Sequence, residues 1–246
     1  LMQFYSKPVH VDSLTIQQSL DLLMKSVKRV NELRVIGGEP FMNKDLHNFV
    51  DLCTGYENGL KVIIYTNGTI IPRPEQLISF QNKKVFFEIT NYNQLSRKLN
   101  QLTDVLNENN IKYKIKELPD TWDDSGDIED YNYSESELES VFKNCCAINL
   151  ATLMHGSLYR CPFSANLDAL DVVNFKAVDK LDLQREDGEL VSSEELINFL
   201  FGKKFLDSCR FCQGRGFEFE QVKPALQTKK PKPIKLRPTV FASGKS

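Results

Sequence analysis

Apolar residues recur along this chain in two alternating rhythms. Ile16, Leu20, Leu23, Met24, Val27 and Val30 fall at spacings of three and four, which predicts an amphipathic helix opened by a Thr15–Gln18 capping box. Leu33, Val35 and Ile36 then form a short continuous run, the pattern of a buried strand. Asn43 is placed to cap a second helix with Leu46, Phe49, Val50 and Cys53 on one face, where Cys53 reads as core. Strand patterns return at residues 61–68, 85–92 and 111–118, with a helix carrying Leu95, Leu99, Leu102, Val105 and Leu106 before the last of them. Strand and helix repeating at these intervals predict an α/β fold with parallel strands and crossover helices.

Each of the first three strand patterns ends in polar or glycine-rich chain. The first runs into Gly37-Gly38-Glu39-Pro40, the second into Thr66-Asn67-Gly68 and the third into Thr90-Asn91-Tyr92. Paired glycines let main chain approach a ligand, and Pro40 stiffens the exit. In parallel α/β folds ligands bind beyond the carboxyl ends of strands, which is where these three segments fall. One such end is weak evidence, but three together describe a site.

The second half changes character. Nine acids and no Lys or Arg lie between Asp120 and Glu139, with Trp122 at the front, which reads as a solvent-facing excursion or linker. Ser192 and Glu195 form a capping box for a helix with Leu196, Phe199 and Leu200, which delivers the chain to Cys209. Cys209-Arg210-Phe211-Cys212 is a CxxC, able to present two thiolates from one turn. Upstream, Cys146, Gly156 and Cys161 are spaced C-x9-G-x4-C, with Cys145 beside the first. His155-Gly156 marks a hairpin tip whose return strand presents Cys161. Four thiolates suit a [4Fe–4S] cluster or a tetrahedral zinc, and the spacing does not separate the two.

Composition narrows the class. The chain has 246 residues, 41% hydrophobic and 26% charged, as in ordinary globular proteins. No apolar run approaches the roughly 18–20 residues of a membrane span, and there is no signal-peptide pattern. Six cysteines without an export signal point to metal ligation in a reducing cytoplasm. The net charge of −2 hides a division: seven basic residues and no acid follow Glu220, which leaves 24 basic against 33 acidic residues, or −9, before it. An acidic body is a poor nucleic-acid binder. The basic stretch is expected to be a loose tail.

Taken together, these features resemble the radical S-adenosylmethionine (SAM) enzymes with a C-terminal twitch domain, the short relative of the SPASM extension. Gly37-Gly38-Glu39-Pro40 resembles the GGEP motif that receives the methionine amino group of SAM. The segments at Thr66, Asn67 and Gly68 and at Thr90 and Asn91 resemble strand ends that line the SAM and substrate side. Cys145 or Cys146 with Cys161, Cys209 and Cys212 resembles the auxiliary-cluster pattern. The resemblance implies a partial (β/α) barrel over residues 1–140, a twitch domain over 141–222 and a tail over 223–246. It also implies hydrogen abstraction from a small polar, carbohydrate-derived substrate, with SAM, [4Fe–4S] clusters and a reductant such as flavodoxin or ferredoxin. The alternatives are a peptide- or protein-modifying relative and a non-catalytic zinc- or cluster-stabilised binding module. One departure stands out: no CxxxCxxC, the family's SAM-cluster loop, occurs in these 246 residues. The expectation is a fragment whose full-length protein carries that loop ahead of Leu1, or else a degenerate member.

Overall fold

The apolar runs become neighbouring strands. In a computed structural model, which describes residues 2–6, 13–118, 122–123, 127–172, 179–185, 187–214, 221–223 and 230–234, β1 (Leu33–Val35), β2 (Val62–Thr66), β3 (Val85–Asn91) and β4 (Tyr113–Glu117) lie side by side in that order. All three pairings are parallel, with Leu33 opposite Val62, Val62 opposite Val85, and Phe87 opposite Tyr113. Parallel neighbours need crossovers. These carry α2 (Leu46–Gly55), α3 (Pro74–Phe80) and α4 (Leu99–Glu108), while α1 (Ser13–Ser26) precedes the sheet. The inner strands are dry: Ile64, Phe87 and Ile89 are fully buried.

Three local expectations shift. The first helix begins at Ser13, so Thr15 lies inside it, and it stops at Ser26 rather than reaching Val30. The Asn58 side-chain amide donates to the Met24 and Val27 carbonyls and so satisfies the helix end. Val30 instead forms an isolated parallel bridge with Gly59. The second helix starts at Leu46 with Asp45 at its cap position; Asn43, two residues too early to cap it, accepts from the Asp45 N–H. Ile36 lies beyond β1 and is 65% exposed, and among the described residues β1 pairs with β2 alone.

Two compact units divide the chain. One comprises His10–Trp122 and Lys223–Leu226; the other comprises Leu1–Val9, Asp123–Val222 and Gln227–Ser246. In the second, α5 (Glu135–Lys143) starts at a Ser134–Glu137 capping box. The hairpin forms as read: β6 (Thr152–Met154) and β7 (Ser157–Tyr159) pair antiparallel across His155 and Gly156, both at positive φ. After α6 (Pro162–Ala169), β8 (Lys180–Asp182) adds to the other edge of β7. The Ser192–Glu195 box opens α7 (Ser193–Phe201), and Cys209 sits in a 3-10 turn at Asp207–Phe211.

Trp122 belongs to β5 (Trp122–Asp123), a two-residue strand, and its side chain lies outside the described residues. Most of the basic tail lies outside them as well. Of its described part, Lys232 donates its N–H to the Gln3 carbonyl at 2.8 Å, and Ile234 packs beside Phe4, Ile128, Leu167 and Phe211. Among the described residues no helix is long and apolar enough to cross a membrane.

Candidate functional site

The strand ends meet at one buried carboxylate. Glu39, 8% exposed, caps the 3-10 turn Pro40–Met42 by accepting from the Phe41 N–H at 3.2 Å. It also accepts from Thr66 Oγ1 at 2.9 Å on both oxygens and from the Asn67 N–H at 2.9 Å. Burial pushes its pKa up, and the donors from Asn67, Phe41 and Thr66 pull the other way. Glu39 therefore ties the end of β1 to the end of β2.

Phe41 holds this turn down. Its ring stacks on Phe87 and meets Phe80 edge-on, both at centroid distances of 5.9 Å, and all three rings are buried. Such pairs stabilise by about 0.5–1.5 kcal/mol beyond the burial itself. The GGEP turn is thus anchored by the aromatic residue that follows it. Gly37 and Gly38 are exposed, and a side chain on either would meet nothing within 4 Å. Their backbone faces open space.

Buried Ser96 links the next pair of ends. Its hydroxyl donates to the Asn67 carbonyl at 2.6 Å, lies 3.3 Å from the Thr90 carbonyl and accepts from the Tyr92 N–H at 2.8 Å. Gly68 has φ +68, and a Cβ there would lie 3.5 Å from Ser96 Cβ. Asn91 turns outward to Glu117 at 2.8 Å. Tyr92 has its pKa raised by burial and, next, by the charge of Glu39. The structure therefore gathers Glu39, Thr66, Asn67, Gly68 and Thr90 at the carboxyl ends of β1–β3. A separate concavity lined by Lys61, Lys83, Lys84 and Lys112 lies at the opposite ends of these strands.

The cysteines form a second centre. None of the six is in a disulfide. Cys161 caps α6, its Sγ accepting from the Ser164 N–H at 3.3 Å. Cys145 Sγ accepts from the Ala147 N–H at 3.3 Å and Cys212 Sγ from the Gly214 N–H at 3.4 Å. Burial pushes the Cys161 thiol up to about 12, with the charges of Cys145 and Cys212 adding to it. Burial likewise raises Cys209, and the charges of Cys161 and Cys212 act in the same direction. Four of the five second-half cysteines thus feel one another. Cys146 is exposed to solvent.

Several residues that the sequence did not flag shape this centre. Asp179 is fully buried and accepts from the Asp207 and Ser208 N–H groups at 3.0 and 2.7 Å, while its carbonyl takes the Arg160 N–H at 3.5 Å. It binds the turn carrying Cys209 to Arg160, the residue before Cys161. Tyr131 and Tyr133 stack at 5.6 Å, and the charge of Cys212 acts on both. Their only sequence signal was two tyrosines within an acidic run.

No group of three or more His, Cys, Asp or Glu among the described residues is close enough to hold a single metal ion. A zinc with bonds of about 2.3 Å needs its thiolates closer together than a [4Fe–4S] cube does, since the cube carries them on outer corners. Three of the four sulfurs of Cys145, Cys161, Cys209 and Cys212 accept from backbone N–H groups.

The parallel sheet with crossover helices and a Gly-Gly-Glu-Pro turn at its carboxyl edge has a counterpart among solved structures. The solved structure of BtrN in complex with AdoMet and 2-DOIA superposes on 92% of this chain and 86% of that one, with a TM-score of 0.50 and 15% identity. The GTP 3',8-cyclase of Campylobacter fetus subsp. fetus (strain 82-40) is 37% identical over 49 residues, which are 20% of this chain and 15% of that relative's length. No family model matches the chain. Both relatives are radical SAM enzymes.

Proposed function

We propose that this chain serves a radical SAM oxidoreductase that abstracts hydrogen from a small polar, carbohydrate-derived substrate. The observation that carries the reading is the convergence of strand ends on Glu39, Thr66, Asn67 and Ser96 beside the open backbone of Gly37 and Gly38, on a radical SAM fold. BtrN, crystallised with AdoMet and 2-DOIA, supports a small-molecule substrate.

In this reading Gly37, Gly38, Pro40, Thr66, Asn67, Gly68, Thr90 and Asn91 hold SAM, with Glu39 fixing the geometry of its turn. Cys145, Cys161, Cys209 and Cys212 hold an auxiliary [4Fe–4S] cluster in a twitch-like unit. When bound, these groups supply one-electron chemistry, and a reductant such as flavodoxin or ferredoxin feeds it. The protein's share is placement. The Glu39 and Ser96 hydrogen bonds fix three strand ends before any ligand arrives.

Iron, acid-labile sulfide and zinc should be counted per chain after anaerobic reconstitution, with SAM binding followed by equilibrium dialysis. About four irons and four sulfides are expected. About one zinc and no sulfide would replace the enzyme with a zinc-stabilised binding module.

A further inference from the structure

Arg160 has a place in the cysteine centre that its position before Cys161 did not announce. It is 5% exposed. Its two terminal nitrogens donate to the Leu150 and Ile148 carbonyls at 3.2 Å each, and its Nε is buried without a hydrogen-bond partner among the described residues. The guanidinium lies 5.7 Å from the Phe142 ring centroid. The acidic groups acting on it are the thiols of Cys161 and Cys145. A buried guanidinium with two carbonyls and one orphaned N–H is only partly met, and an unmet buried donor costs about 1–3 kcal/mol.

We propose that Arg160 is a positioning residue for the auxiliary cluster, its Nε–H donating to a cluster sulfur and its charge favouring the reduced state. This rests on the cluster assignment above. Four thiolates leave such a cluster negative, and reduction adds a further negative charge. Net charge and hydrogen bonds to the sulfurs set cluster potentials. A guanidinium fixed in a dry site therefore acts in the direction of a higher potential. It also answers why the chain keeps a cation where no carboxylate among the described residues meets it.

The test is a dye-mediated redox titration of the reconstituted chain, followed by electron paramagnetic resonance. Arg160→Gln should shift the reduction equilibrium at least tenfold toward the oxidised cluster, about 59 mV for a one-electron couple. Arg160→Lys, which keeps charge but has no Nε–H, should fall between. Either variant with a full iron load and an unchanged potential overturns the proposal. Wild-type protein labelled with 15N at arginine Nε needs no substitution: a hyperfine coupling from that nitrogen to the reduced cluster supports the proposal, and its absence overturns it. A wild-type chain that takes up zinc and no iron removes the cluster assignment itself, an outcome distinct from an unchanged potential.

Discussion

The two centres differ in what they leave unmet. At the strand ends the polar groups answer one another: Glu39 accepts from Thr66, Asn67 and Phe41, and Ser96 joins the Asn67 carbonyl to the Tyr92 N–H. At the cysteine centre the thiols of Cys161 and Cys209 are held protonated by burial, and Arg160 Nε has no described partner. The first is a finished frame around an open backbone. The second is a cluster of buried and half-buried groups that are only partly answered. A site that receives a diffusing ligand many times over gains from a frame that stands alone. A site built around a resident cofactor can leave its donors for that cofactor to satisfy.

The strongest way to break this comparison is Cys161→Ala. It should reduce the iron load of the reconstituted chain from about four per chain to near zero. SAM affinity, read by equilibrium dialysis, should change less than twofold if the two centres are independent frames. A large loss of SAM binding would show that the strand-end frame also depends on the cluster.

Glu39→Gln probes the other side. The Gln amide nitrogen would face the N–H of either Phe41 or Asn67, leaving a buried donor unanswered. The expected cost is about 1–3 kcal/mol in urea unfolding, with no change in iron content. Unchanged stability would mean that Thr66 and the backbone hold the turn without the carboxylate.

These residues also mark where sequence reading works. Glycines, a capping box and an alternating run are local signals, so the parallel strands, the 155–156 hairpin and the Ser192 cap were legible, as were the polar strand ends. What depended on distant partners was not. Ser96 gave no sign that it would join two strand ends, nor Asp179 that it would seat the turn of Cys209. Phe41 looked like one more aromatic residue, although its stack on Phe87 holds the motif in place. Helices α3, α5 and α6 are seven to nine residues long, too short to give a clear apolar period.

Alkali separates the centres by titration. Cys161 is raised by burial to about 12 from an ordinary thiol value of 9.0, and Cys53, in the core of the sheet unit, is raised to about 12 as well. For a thiol whose folded pKa is raised, the stabilising contribution is complete below the unfolded value and is lost as pH rises toward the folded one. The iron-free chain should therefore lose stability above pH 9, by about 1.4 kcal/mol per thiol per pH unit. The loaded chain should lose less than the iron-free chain by the share of Cys161, because liganded thiolates carry no proton to release. Equal losses with and without iron would remove Cys161 from the ligand set.

The smallest effect is expected from the residue that the spacing ranks highest. Cys146 gives the C-x9-G-x4-C pattern with Gly156 and Cys161, and Cys145 stands one position off it. In the fold the order reverses. Cys145 Sγ accepts from the Ala147 N–H, its charge acts on both Cys161 and Arg160, and Cys146 is exposed. Adjacent side chains leaving one turn seldom reach the same centre, so one of the pair must be dispensable. Cys146→Ser should keep about four irons per chain and an unchanged spectrum, whereas Cys145→Ser should lose the cluster. The reverse result would return the assignment to the spacing and imply that the 145–147 turn rotates when the cluster binds.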